Sequence, residues 1–157
     1  MEIVTLCFLR KEAHICLAPK KHKIGAGKRN GYGGRVQVGE TVRQAAVREL
    51  QEEACVTALP EDLEQVAVIT LYHRNQATYE CHIFFVYDWD GEPRETAEMG
   101  PPKMYHEDNI PKKHMLPGDA HWLPLLLAGN KLRGRLHHSD DFKSVQRFMW
   151  EEAEFPA

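Results

Sequence analysis

Residues 20–56 constrain this chain more tightly than any other stretch. The first part is basic and glycine-rich, with five glycines in the ten residues from Gly25 to Gly34. Glycine at that density opposes a regular element, so residues 20–35 are predicted to form a loop. The second part predicts a helix from Thr41 to Ala54. Thr41 is placed to cap it, and Gln44 three positions on completes a capping box. Val42, Ala46 and Leu50 recur at helical spacing and supply a buried stripe. Glu49, Glu52 and Glu53 then stand at i, i+3 and i+4 of the same helix. Side chains so spaced share one face, with Cβ atoms roughly 5–6 Å apart, and like charges there repel. Arg48 neutralises one acid of the three. A divalent cation would neutralise the rest, and magnesium suits a few carboxylates together with substrate phosphates. The plainer reading of an isolated acidic triplet is a solvated helix face.

Around this segment the chain is β-rich. Residues 3–9, 13–18, 63–72, 79–88 and 131–138 read as strands, and residues 101–106 as a short one. Asp90-Gly91 and Pro93 mark a turn. Pro117-Gly118-Asp119 reads as a turn that starts a second helix through Trp122 to Leu127, and residues 142–150 fit strand or helix equally. Strands interleaved with two helices predict an α/β (α+β) fold with a mixed sheet sandwiched between helices. With no repeat or linker, residues 1–157 read as a single domain.

Composition narrows the partners. A formal net charge of -3 argues against a nucleic-acid polymer, which usually needs a basic face. A small phosphate-bearing ligand needs only a local positive cluster, such as the lysines and arginines of residues 20–35. No apolar run is long enough for a bilayer, and the first residues lack the pattern of a secretory signal, so a cytoplasmic, monomeric protein without membrane contact is the expectation. Cys7, Cys16, Cys55 and Cys81 lie far apart in sequence and read as reduced thiols. The adjacent pair His137-His138 points to opposite faces of a strand and reads as structural.

The acidic helix belongs to a longer spaced pattern. Gly34 is followed after five residues by Glu40, after seven more by Arg48-Glu49, and then by Glu52-Glu53, with Leu50 and Val56 at its apolar positions. This run resembles the Nudix box of the MutT-like hydrolases. The family has a glycine where this chain has Cys55, just past the helix, where a left-handed backbone is common. The resemblance implies a Nudix fold and a magnesium-dependent hydrolase of phosphoanhydride bonds, with manganese as a substitute metal. It makes Glu49, Glu52 and Glu53 metal ligands, with the Gly34 carbonyl as a further candidate. Arg48 would orient the glutamates, and Glu40 would help fix the loop and helix. Glu53 is the first candidate for general base and Glu98 the second.

The likeness continues in residues 25–34, in Glu98-Met99 and in residues 116–127, which are similar to the animal oxidised-purine nucleoside triphosphatases. It implies a small-molecule nucleotide substrate such as 8-oxo-dGTP, cleaved to the monophosphate and pyrophosphate. Asn30 and Asp119 would then hydrogen-bond the base edge, with Lys20 and Arg35 near the phosphates. The plainer readings are a turn residue for Asn30, a helix cap for Asp119 and a core residue for Trp122. Relatives place a base-stacking tryptophan at Leu116 and a second acid at Gly118. Two other readings follow: a Nudix hydrolase of another nucleotide, either a triphosphate or a diphosphate linked to a second group, and a nucleotide-binding regulator without turnover.

Overall fold

The computed structural model describes residues 1–157. Ten elements follow in order: β1 (Glu2–Lys11), β2 (His14–Pro19), β3 (Arg29–Asn30), α1 (Val42–Ala54), β4 (Leu63–His73), β5 (Gln76–Val86), β6 (Lys103–His106), α2 (Asp119–Leu127), β7 (Leu132–His138) and β8 (Val145–Glu152). The strands form an eight-stranded sheet in the order β3-β2-β1-β5-β4-β7-β8, with β6 paired to β2. The β1–β5 and β4–β7 pairs are parallel and the others antiparallel, so the sheet is mixed.

Alternation along the central strands separates two cores. Cys7 and Leu9 of β1 with Phe84 and Val86 of β5 pack with Ala46, Leu50 and Ala54 of α1. Phe8 of β1 with Ile83 and Phe85 of β5 pack with Trp122, Leu123 and Leu126 of α2. The sheet is therefore sandwiched between its two helices, as the pattern of elements implies. Burying each of the leucine, isoleucine, valine and phenylalanine side chains among these contributes about 1.5–3 kcal/mol. No helix is long and apolar enough to cross a membrane.

One irregularity shapes the site. β1 pairs with β2 only at its end, through Arg10 with Ile15 and Lys11 with His14. Toward its start it is joined instead by the glycine-rich segment, at Cys7 with Tyr32 and Val4 with Arg35. That segment is thus inserted beside β1 and passes directly under α1.

Candidate active site

α1 forms as its sequence dictates. The Thr41 hydroxyl accepts from the Gln44 backbone N–H at 3.1 Å, and the Gln44 side chain accepts from the Thr41 N–H at 2.8 Å. Ala46, Leu50 and Ala54 are buried, which turns the other face of the helix toward the glycine segment. Cys55 ends the helix at φ 60°, the left-handed position where glycine has the lowest cost.

Arg48 organises the acids. Its guanidinium donates to Glu40 at 2.7 and 3.1 Å, to Glu49 at 2.9 Å, to Glu52 at 3.2 Å and to the Arg35 carbonyl at 3.0 Å. Glu40 also accepts from the Gln37 N–H at 2.8 Å. It is held below the usual carboxylate range, chiefly by its hydrogen bonds from Arg48. One arginine therefore ties the loop to the helix and orients two of the three glutamates.

The two glycines under α1 have separate functions. A Cβ at Gly34 would collide with the Glu49 carboxylate, and one at Gly33 with the Thr5 carbonyl. Only glycine lets the backbone come this close. The Gly34 carbonyl accepts from the Thr5 N–H at 2.8 Å, so it faces β1 and not the acids. Gly33 faces the other way: its N–H donates to Glu53 at 2.9 Å. In a strand-like segment the carbonyl of a residue turns with its N–H, so the Gly33 carbonyl also faces α1, and no donor within the protein engages it. The sequence pattern pointed to Gly34 as the backbone ligand, whereas the register with β1 makes Gly33 the better placed.

Burial raises the pKa of Glu53 to about 7, with the Glu49 and Glu98 charges adding to the rise, and burial also raises that of Glu49. Glu98 is exposed, its carboxylate has no partner in the protein, and its charge reaches Glu53. Its loop is fastened to the end of α1 by the Thr96 hydroxyl, which donates to the Glu53 carbonyl at 2.9 Å. The sequence assigned no role to either residue: Gly33 acts through its own backbone N–H and Thr96 through a hydroxyl that reaches a distant backbone.

The residues expected at a base pocket lie on separate elements, Asn30 in β3 and Asp119 at the start of α2. Asp119 is 6% exposed, and its Oδ2 is buried without a partner. It is the first residue of α2, the cap position belongs to Gly118, and no side chain caps the helix. The cap reading of Asp119 is therefore set aside. Burial raises its pKa to about 7, partly opposed by a hydrogen bond from the Leu116 backbone and by the Lys20 charge. Lys20 acts on Glu53 in the same sense, so one cation influences both the acid cluster and Asp119. The Asn30 Oδ1 accepts from the Gly31 N–H at 2.8 Å, which leaves its amide NH2 without a partner. Leu116 packs toward Gly25 in the glycine loop. Trp122 is 4% exposed and packs on Phe8 at 6.0 Å between ring centroids, a core position. Arg35 departs from expectation: it is 70% exposed and pairs with Glu2 at 2.9 Å, because the β1 pairing turns it outward.

A NUDIX domain model matches residues 2–126. The chain belongs to the Nudix family. An oxidized purine nucleoside triphosphate hydrolase of Danio rerio is 37% identical over 134 residues, covering 85% of this chain and 84% of that protein. Its namesake in Mus musculus is 34% identical over 139 residues, covering 88% and 87%. The crystal structure of a MutT protein from Bacillus halodurans superposes with a TM-score of 0.80 at 20% identity, over 96% of this chain and 98% of that one, which shows the shared fold.

The Nudix chain's donor set suits a hard divalent cation: carboxylate oxygens and a free carbonyl, with no thiolate or imidazole among them. The three acids do not form a ready cage, since Arg48 holds Glu49 and Glu52 while Gly33 holds Glu53. Burial, with repulsion between neighbouring acids added, displaces the Glu49 and Glu53 carboxylates toward neutrality, a cost that a bound cation would offset.

Proposed function

We propose that this MutT-like Nudix hydrolase uses magnesium to cleave a purine nucleoside triphosphate to the monophosphate and pyrophosphate, with 8-oxo-dGTP as the first substrate to test. The reading is carried by one arrangement: a buried Asp119 carboxyl whose Oδ2 has no partner and Glu53 on the acid face of α1, both within the field of Lys20. Similarity to the fish and mouse oxidized purine nucleoside triphosphate hydrolases supports the choice of substrate.

Glu49, Glu52, Glu53 and the Gly33 carbonyl would hold the cation. When bound, it polarises a phosphate oxygen and offsets charge in the transition state. Arg48 keeps Glu49 and Glu52 directed toward the site, and Glu40 keeps Arg48 in place. Glu53 is the first candidate for general base in this proposal, and Glu98, exposed and without a partner in the protein, is the second. Lys20 attracts the phosphates. The free Asn30 amide donates to the base edge and Asp119 completes the reading. An unpaired buried partner penalises a wrong base by about 1–3 kcal/mol.

A second reading rests on Leu116, which packs toward Gly25 and presents no ring for a base to stack on. It assigns the same chemistry to another nucleotide. The deciding experiment measures kcat/KM for 8-oxo-dGTP and for dGTP with magnesium, following pyrophosphate. The first reading predicts a preference of about tenfold or more for the oxidised base, as expected from one discriminating hydrogen bond. A ratio near one transfers the proposal to a different nucleotide.

A further inference from the structure

The loop that carries Glu98 has no regular structure, yet it is bound on two sides. Three consecutive carbonyls are taken by two consecutive residues. The Lys21 Nζ donates to the Thr96 carbonyl at 2.7 Å, the His22 Nε2 donates to that of Ala97 at 3.1 Å, and the Lys21 N–H donates to that of Glu98 at 3.1 Å. The Lys21 ammonium also pairs with Glu95 at 2.8 Å. On the other side the Thr96 hydroxyl donates to the Glu53 carbonyl at 2.9 Å and accepts from the N–H groups of Glu98 and Met99 at 3.4 and 3.3 Å. A single hydroxyl thus joins the backbone of Glu53 to the backbone of Glu98.

Only the backbone of Glu98 is fixed in this way. Its side chain is exposed and makes no hydrogen bond, while its backbone N–H and the Glu53 carbonyl share the Thr96 hydroxyl. Two like charges near each other repel, so the loop that carries Glu98 stays beside Glu53 only if bonds to its neighbours resist that repulsion. Placing reactive groups within a fraction of an ångström requires support of this kind.

We propose that Thr96 is a positioning residue that sets the Glu98 carboxylate against the glutamate face of α1, with Lys21 and His22 as the opposing clasp. This rests on the reading of Glu98 as part of the hydrolytic site. Thr96 touches neither substrate nor metal in the proposal and acts only through Glu98.

The test compares the full-length wild type, Thr96→Val, Thr96→Ser, Glu98→Gln and the Thr96→Val/Glu98→Gln double variant. Two quantities are measured for each: the dissociation constant for Mn2+ without nucleotide, by titration calorimetry, and kcat and KM for 8-oxo-dGTP. Thr96→Val is expected to weaken Mn2+ binding about fivefold and to lower kcat about tenfold with little change in KM, and Thr96→Ser to restore both. The double variant is expected to behave like Glu98→Gln alone, because a positioning residue has nothing to act on once its target is gone. Additive losses in the double variant, or a Thr96→Val protein that binds and turns over like the wild type, would overturn the positioning role. A silent Glu98→Gln would overturn both that role and the reading of Glu98. Absence of turnover in the wild type would count against the proposed substrate alone, since the Mn2+ measurements still decide the role of Thr96.

Discussion

At the scale of single residues, Asp119 and Cys55 show how much chemistry a sequence position carries without its surroundings. Cys55 was legible: the family likeness implies a left-handed residue there, and the backbone adopts φ 60°. Asp119 was legible as a base-reading candidate only by resemblance, and the cap reading lost because Gly118 takes the cap position. Its burial gives a pH signature. A carboxyl with a folded pKa raised to about 7 binds its proton more tightly than the unfolded chain does, so it destabilises the fold progressively from about pH 4 to pH 7 and uniformly above. Asparagine has the same shape and no charge. Asp119→Asn is therefore expected to gain stability over the wild type by about 2–3 kcal/mol more at pH 8 than at pH 5, measured by urea unfolding at both pH values. A difference independent of pH would mean that the carboxylate is paired.

At the scale of elements, the parts written in local pattern were the readable ones. α1 runs from Val42–Ala54 with the capping box that Thr41 and Gln44 imply. Removing the cap, in Thr41→Ala, is expected to cost about 1 kcal/mol and lower Tm by roughly 2–4 °C for a chain of this size. An unchanged melting curve would show that packing of Ala46 and Leu50 alone holds the helix. Elsewhere long-range pairing decided. The segment 142–150 fitted either element until β7 offered an edge, and β8 forms at Val145–Glu152 by pairing with it. β5 starts at Gln76, earlier than its apolar pattern suggests, because the turn before it is Arg74-Asn75 with φ of 51° and 63°. That geometry is the favoured two-residue hairpin turn, here without the glycine that usually announces it. β3 is only two residues, within a loop whose glycine content conceals it.

At the scale of the whole molecule, the mixed sheet with a helix on each face positions the site by its one irregularity. Because β1 leaves β2, the glycine segment reaches α1, and Gly33 and Gly34 meet Glu53 and Glu49. The glutamates and Arg48 were visible in sequence since they share one helix. The opposing Gly33 carbonyl, the outward turn of Arg35 and the Thr96 link were not, since each depends on how distant segments align. The central claim is that the acid face of α1 is a hydrolytic centre. Its most direct test is pyrophosphate release from 8-oxo-dGTP with magnesium, by the wild type and by Glu53→Gln, with circular dichroism to confirm that both are folded. The account predicts turnover by the wild type and a loss of about 10²–10⁴-fold in the variant. A folded Glu53→Gln protein with wild-type turnover would contradict it.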